Sequence, residues 1–328
     1  MINVFYEPDY AKRKKKIFTF NFKKSVLLNK LIDIAYFYNF HIPEAFITNG
    51  PHKLMNHVVK NLSKNSKASF NKIIYDNNFI LQFDNFGEDK LKEIINQKNS
   101  NTKVLVGPLY TTEHLKKLLQ YVSKYDFIKV VSCSSYAKDT LLNDLNLGFV
   151  EENIVVLPIG IKSINSLSKE RKELRNNRCL IYFKNRSFDE LKLILKFLNS
   201  RDISYDIIEY GSYSNKQLKK LSKRNKYGIL LAATESQGFA IQEMMSNNLP
   251  MIVWDKKNGE FEGQKIRGTS VTVWDEDCGL TVDTFEEFSN QFKNFINNLD
   301  NYNPKELVIQ NLSYEVFLDN LKKQFLNF

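Results

Sequence analysis

Two glutamates stand with seven residues between them in the stretch TESQGFAIQEMMSNNLPMIVWD, Thr234 to Asp255. The second, Glu243, falls in what reads as a mostly apolar helix, where a carboxylate needs a reason. Gly238 lies between the pair and allows close backbone approach. A helix starting about there leaves its first N–H groups, around Gly238 to Ile241, without intrahelical partners. Together with the helix dipole they make a ready anion site. Glu243 comes four residues after Phe239 and three after Ala240. Helical side chains tilt toward the N-terminus, so its carboxylate is expected to reach back over that turn. There it suits a vicinal diol, such as the ribose of a nucleotide. Two cations, Lys184 and Arg186 in IYFKNRSF, follow an apolar run. They are expected to neutralise a departing diphosphate, which is electrostatic stabilisation of a transition state.

These residues need elements that aim them. YGILLAAT before Glu235 is a near-continuous apolar run, as a central parallel strand requires. Its carboxyl end lies near Thr234, which puts Glu235 in a ligand-facing loop. FAIQEMMSN then reads as a helix, with Ala240, Ile241, Met244 and Met245 as its packing face, and PMIVWD as the next strand. The same alternation runs through the chain. RCLIYF, YDIIEYG, KVLVGPLY, IKVVSCSS, NIVVLPIGI, AFITNG and NFILQFDNF read as strands. TEHLKKLLQYVSKY, SYAKDTLLNDLN, SFDELKLILKFLNS, KLMNHVVKNL, EDKLKEIINQ and KKSVLLNKLIDIAYFY read as helices. The polar stretch IKSINSLSKERKELRNN interrupts the pattern as a linker. NLSKNSKASFNK reads as solvated loop. The result is two α/β blocks, each with a parallel sheet covered by helices, and a cleft is expected between them.

The segment ESQGFAIQEMMSNNLPMIV resembles the E-x7-E signature of retaining glycosyltransferases with the GT-B fold, the family 4 or group 1 type. The usual pattern is E-G-F-G-hydrophobic, a second Glu, then a small-residue helix ending in G-x-P before a strand. Here Gln237 precedes Gly238, Ala240 takes a glycine's place, and Asn248 replaces the glycine before the proline. The match extends from about Asn176 to Leu280. SSYAKDTLL and LPIGI resemble family segments of the N-terminal half, with Gly160 kept and Ile159 in place of Asn.

The resemblance implies two Rossmann-like doubly wound domains facing a central cleft. Residues 1–162 would form the acceptor domain and 163–312 the donor domain, with 313–328 a last helix crossing back to the first. It implies a nucleotide-sugar donor, a glycan, lipid-linked or other hydroxyl acceptor, and transfer with retention by attack on the face of departure. Glu235 would bond donor sugar hydroxyls, Gly238, Phe239 and Ala240 would line the sugar and pyrophosphate, and Glu243 would take the ribose. Gly211, after the strand ending EYG, stands where such enzymes contact the base. No metal cofactor is expected, because helix dipoles and cations handle the leaving diphosphate. The Asp-x-Asp of WDED, Asp275 to Asp277, is read as a loop. Relatives carry a Gly-rich loop after the first strand, whereas FYEPDYAKRKKK has no glycine. The acceptor side therefore offers only cleft candidates, Gly107 in the strand exit VGPLY and His114 just beyond it.

The bulk numbers set bounds. The 328 residues suggest about two domains, and 43% apolar residues suffice for two cores. No apolar run approaches the roughly 18 to 20 residues of a membrane span. The basic run near the start follows the apolar residues, the reverse of a signal peptide, so a cytoplasmic chain is expected. Three scattered cysteines fit a reducing compartment without disulfides or zinc. The formal charge is +10, from 47 Lys and Arg against 37 Asp and Glu. A composition rich in Lys, Asn, Ile, Phe and Tyr explains the sum, so local clusters are more informative. KRKKK, Lys12 to Lys16, and KKLSKRNK, Lys219 to Lys226, suit peripheral contact with an anionic membrane face. Nucleic acid fits less well, because aromatic residues do not interleave with the basic ones. Two alternatives remain open at this level: a nucleotide-sugar epimerase of the same fold, and a basic binding module.

Overall fold

Parallel strands joined by helices account for nearly all of the computed structural model, which describes residues 1–6, 50–63, 68–71, 76–162 and 176–328. The chain divides into two units, Met1–Gly160 with Leu318–Phe328, and Ile161–Phe317. The run Lys12–Lys16, the expected helix KKSVLLNKLIDIAYFY, most of the expected strand AFITNG and most of the expected linker lie outside the described residues.

The first unit holds β1 (Ile2–Phe5), α1 (Gly50–Ser63), β2 (Ala68–Phe70), β3 (Asn77–Gln82), α2 (Asn85–Gln97), β4 (Lys103–Leu109), α3 (Thr112–Val122), β5 (Ile128–Ser132), α4 (Ser135–Asp139) and β6 (Ile154–Val156). A π-helical turn, Thr140–Asp144, continues α4. The sheet order is β2-β1-β3-β4-β5-β6, and every pairing is parallel. Its central strands are apolar because both faces are covered: Val104, Leu105, Val106, Val130 and Val131 are wholly buried. Asp84, Thr111 and Ser134 cap α2, α3 and α4 through their side chains. One expectation is corrected. Within the supposed loop NLSKNSKASFNK, Ala68–Phe70 forms an edge strand on β1, and the Ser69 hydroxyl donates to Asn3 Oδ1 at 2.9 Å. Three residues carry too short an alternation to announce a strand.

The second unit holds β7 (Asn176–Lys184), α5 (Phe188–Asn199), β8 (Ser204–Glu209), α6 (Asn215–Arg224), β9 (Asn225–Ala232), α7 (Phe239–Ser246), β10 (Met251–Trp254), β11 (Asn258–Phe261), β12 (Gln264–Arg267), β13 (Gly279–Val282), α8 (Phe285–Asn297) and α9 (Pro304–Leu312). Its parallel sheet has the order β13-β10-β9-β7-β8. Helices α6, α7 and α9 pack on one face with Leu180, Tyr182, Leu230 and Val253, while α5 and α8 pack on the other with Ile181, Phe183, Ile229 and Leu231. The sheet is therefore doubly wound. Strands β11 and β12 form a separate antiparallel hairpin that the sequence pattern did not announce, and α9, with Pro304 in its first turn, is likewise additional. The last helix, α10 (Tyr314–Leu326), ends in the first unit. There Lys103 Nζ donates to the Phe325 carbonyl at 2.6 Å, and Lys129 Nζ sits 4.8 Å from the Phe328 ring centroid.

Candidate functional site

The sheet of the second unit has a switch point between β7 and β9. These neighbours run parallel, but the chain leaves β7 for α5 on one face and leaves β9 for α7 on the other. Exit loops that part in this way leave a crevice at the carboxyl ends of the two strands, where open α/β sheets take ligands. Lys184 is the last residue of β7 and Glu235 lies just past β9, so the two flank that crevice.

They meet across it. Lys184 Nζ lies 2.7 Å from Glu235 Oε1, and the two side chains are only 13% and 12% exposed. Period-two alternation puts Lys184 on the same face as Tyr182, the face that α7 covers. The Tyr210 ring lies 4.4 Å from Lys184 Nζ and adds a cation–π contact. Asn185, at φ 51, turns the chain away directly after the lysine.

Arg186 does not share that position. Its side chain is 1% exposed and wholly engaged. Nε and Nη2 bind the two oxygens of Glu190, each at 2.9 Å, and Nη1 donates to Trp254 O at 2.7 Å and Ala232 O at 3.3 Å. The guanidinium also lies 5.0 Å from the Trp254 ring. Expected as a cation for the leaving diphosphate, Arg186 is engaged as a buried strut tying the first turn of α5 to the ends of β9 and β10. The spacing of Arg186 and Glu190, four residues apart on a helix start, is the signal that foretells the pair. Burial pushes the Glu190 carboxyl up, but Arg186 and the Ser187 amide outweigh it and bring it down to about 2.

Gly238 caps α7 at φ 78 and ψ 49, a left-handed conformation that disfavours any residue with a Cβ. Its carbonyl receives the N–H groups of Ile241 and Gln242, both at 3.0 Å. Phe239 and Ala240 open the helix, and Ala240 turns into the core beside Ile241, Met244 and Met245. Glu243, half-buried, is on the second turn. The Ser246 hydroxyl and Asn247 amide both donate to its backbone carbonyl, at 2.8 and 2.7 Å. Tyr213 feels the charge of both glutamates. Burial raises its phenol well above the ordinary range, the hydrogen bond with Tyr182 draws it down in part, and the charges of Glu243 and Glu235 add to the rise. Lys184, Tyr210, Tyr213, Glu235 and Glu243 thus form one constellation with the N-terminus of α7.

The loop from Thr234 to Gln237 is held by residues that the sequence did not single out. Gln237 is buried; its Nε2 donates to Gln242 Oε1 at 3.1 Å, and Gln242 Nε2 donates to the Gln237 main-chain carbonyl at 2.7 Å. The Thr272 hydroxyl donates to the same carbonyl at 2.8 Å, and the Glu235 N–H donates to Thr269 O at 2.9 Å. Thr234 is wedged between Gly259 and Gly268, where an added Cβ would come within 1.9 and 2.5 Å of its Oγ1. Behind these contacts lies Asp255, at the carboxyl end of β10 with its side chain 1% exposed. It accepts from Ser270 N at 2.8 Å, Ser270 Oγ at 3.0 Å, Thr269 Oγ1 at 2.8 Å and Lys257 Nζ at 3.1 Å. Burial raises its carboxyl, but the bonds from Ser270, Thr269 and Lys257 more than offset that and leave it below its ordinary value.

The remaining candidates are spread out. Gly211 is exposed, at φ 86, in the turn after β8. In the first unit, Gly107 has φ 118, and the Tyr110 ring and Val131 carbonyl fill the place a Cβ would take. The Tyr110 hydroxyl donates to that carbonyl at 3.1 Å. His114 is half-buried in the first turn of α3, with Nδ1 2.9 Å from the Thr111 hydroxyl. Asp275 caps a short turn by accepting from Asp277 N at 3.1 Å and Cys278 Sγ at 3.2 Å. Cys133, Cys179 and Cys278 are free and buried. Among the described residues no group of His, Cys, Asp and Glu is arranged to hold a metal, and no helix is long and apolar enough to cross a membrane.

No protein-family model and no curated protein sequence matches the chain. Solved structures do. One described as the crystal structure of a GtfA/B complex is similar with a TM-score of 0.52 and 12% identity, over 76% of this chain and 57% of that one. The chain therefore spans little more than half the length of that relative. The apo form of WaaB, described as a lipopolysaccharide outer core galactosyltransferase, is similar with a TM-score of 0.49 and 13% identity, over 84% of this chain and 80% of that one. AviGT4, described as a glycosyltransferase involved in Avilamycin A biosynthesis, is similar with a TM-score of 0.49 and 8% identity, over 99% and 96%. At such identities the likeness concerns fold, and the fold is GT-B, two Rossmann-like parallel-sheet α/β units.

Proposed function

We propose that this protein is a glycosyltransferase that moves a sugar from a nucleoside diphosphate donor to a hydroxyl acceptor with retention of configuration. The observation that carries the reading is the Lys184–Glu235 pair flanking the β7/β9 switch point beside the N-terminus of α7. A diphosphate needs cationic and N–H donors, a sugar needs acceptors for its hydroxyls, and that constellation offers both. Lys184 and the first amides of α7, around Gly238, Phe239 and Ala240, would take the diphosphate. Glu235 would bind the donor sugar and Glu243 the ribose diol, with Gly211 and Tyr210 near the base. Arg186 would support this arrangement from beneath. Retention and the E-x7-E roles rest on the resemblance of Glu235 through Glu243 to that signature. The reading assigns no metal, since Lys184 and the α7 dipole meet the charge that develops on the leaving group. The acceptor is a hydroxyl on a glycan, a lipid-linked sugar or a small molecule, and basic surface such as the face of α6 suits a chain that works at an anionic membrane.

The test begins with thermal shifts under UDP-, GDP-, ADP- and dTDP-sugars, of which one base should raise the melting temperature. Glu243→Ala should then reduce that shift. Glu235→Gln should lower turnover by at least tenfold while changing nucleotide affinity less. If no nucleotide sugar shifts the transition, or both variants transfer sugar at the parental rate, the site assignment is wrong.

A further inference from the structure

Glu235 sits on a loop, not on a regular element, and something must hold it. Three anchors come from one stretch of chain, residues 259–272. Gly259 and Gly268 enclose Thr234, the Thr269 carbonyl receives the Glu235 N–H, and the Thr272 hydroxyl donates to the Gln237 carbonyl. That stretch is itself a hairpin and its return, lying outside the parallel sheet. Asp255, buried at the carboxyl end of β10, ties that stretch to the sheet. Both oxygens are in use: Oδ1 takes Ser270 N and Oγ, and Oδ2 takes Thr269 Oγ1 and Lys257 Nζ.

We propose that Asp255 is a positioning residue for Glu235, acting through the Thr269–Ser270 turn. The inference rests on the proposed function for its catalytic consequence. Its structural content stands apart from that reading. Thr269 carries the link with two of its polar atoms: the hydroxyl bonds Asp255 and the carbonyl receives Glu235. The amide of an asparagine would keep one acceptor oxygen and turn N–H donors toward Lys257, which has no acceptor, and toward Thr269, whose hydroxyl would have to reverse its bond; the charge and half of the accepted bonds would be lost. Glu243 does not depend on this anchor. It rides on α7, which is seated in the core through Ala240, Ile241, Met244 and Met245. Loosening the turn therefore displaces one glutamate and leaves the other in place. Displacements of about 1 Å in a catalytic group cost on the order of 100-fold in rate.

The experiment is a double-mutant cycle with two readouts. Asp255→Asn should lower kcat roughly 10- to 100-fold while nucleotide affinity, measured by calorimetry, changes less than about twofold. In a Glu235→Gln background the same substitution should add less than about twofold, because the group it positions is already disabled. Thr269→Val should reproduce the kcat loss, and Thr269→Ser, which keeps the hydroxyl, should restore it; these variants carry the test if Asp255→Asn fails to fold. Independently of any sugar transfer, amide hydrogen exchange at Glu235 should quicken in Asp255→Asn. Parental kcat in Asp255→Asn, a loss of nucleotide affinity in step with kcat, or an additive cycle each overturns the proposal. If the parental protein transfers no sugar from any donor, the functional reading fails. The exchange measurement then decides alone, and unchanged protection at Glu235 overturns the anchor.

Discussion

Replacing Arg186 separates two roles that a cation at a strand exit can have. Arg186→Met keeps much of the aliphatic volume and removes four hydrogen bonds. Two of them go to the Ala232 and Trp254 carbonyls at the ends of β9 and β10, and losing a donor costs about 1 kcal/mol at each. The other two form the fork on Glu190, whose side chain is 19% exposed and lies 4.0 Å from Lys256, so it partly recovers with water and that lysine; about 1 kcal/mol is a fair loss there. The cation–π contact with Trp254 adds about 0.5 kcal/mol. The sum is about 3.5 kcal/mol, or roughly 7 to 14 °C in the midpoint of a unit this size. Both tryptophans of the chain, Trp254 and Trp274, belong to the unit Ile161–Phe317, so their fluorescence during urea or thermal unfolding reports that unit. Nucleotide affinity of the folded variant at low temperature should stay within about threefold of the parent. A variant as stable as the parent to within about 0.5 kcal/mol, yet binding nucleotide tenfold more weakly, would refute the reasoning. It would make Arg186 a ligand-binding cation after all.

Two more expectations follow from the same loops. Gly259→Ala puts a Cβ 1.9 Å from Thr234 Oγ1, so the hairpin or the strand exit must shift; it should lower the midpoint of the second unit by several degrees, and Thr234→Ala should relieve part of the loss. An unchanged midpoint would show that the hairpin does not press on Thr234. Acid should weaken the same unit. The folded Glu190 value of about 2 lies below its ordinary 4.5, so its contribution is complete above about pH 5 and fades as the pH falls toward 2. The full shift corresponds to about 3 kcal/mol, which solvent screening of this partly exposed pair reduces to about 1–2 kcal/mol. Glu190→Gln should flatten the decline of melting temperature between pH 5 and 3, and an equally steep decline in that variant contradicts the assignment.

The parts of this molecule that the sequence made legible are those governed by local pattern. Continuous apolar runs such as YGILLAAT announce strands buried on both faces, and the structure buries Ile229, Leu230 and Leu231 completely. The start of α7 was readable because Gly238 and the apolar spacing after it act within one turn. The hairpin was not, for a specific reason. Its two-residue turn, Glu262 and Gly263, has φ 48 and 84, which is the left-handed pair of a type I′ turn. Such turns advertise themselves through Asn-Gly or Asp-Gly, and a glutamate at the first position does not. Asp255 was hidden by distance along the chain, since its partners Thr269 and Ser270 come 14 and 15 residues later, beyond that unread hairpin. Arg186 shows a third kind of limit. Residue type and strand-end position suggested a cation for a leaving diphosphate, but whether a guanidinium faces a ligand or two strand carbonyls is decided by packing.

The proposed function also gives the Lys184–Glu235 pair a reason to exist without ligand. At 13% and 12% exposure, either charge alone would be partly stripped of water, and an isolated ion in such a place is costly. Paired, they offset each other's charge and hold both side chains in place, with Tyr210 supporting the ammonium. The Lys184 ammonium has three donors and Glu235 takes one, so on the proposed reading a diphosphate oxygen and the carboxylate would share the lysine, each weakening the other's hold on it. Sugar hydroxyls would offset that weakening by donating to Glu235, which inorganic diphosphate would not do. On the proposed reading, recognition of the two halves of a nucleotide sugar would be coupled through this ion pair, and an intact donor would bind more tightly than the sum of its parts. The coupling depends on Glu235 remaining within reach of Lys184, and the Thr269 carbonyl on the Glu235 amide limits how far that loop can move.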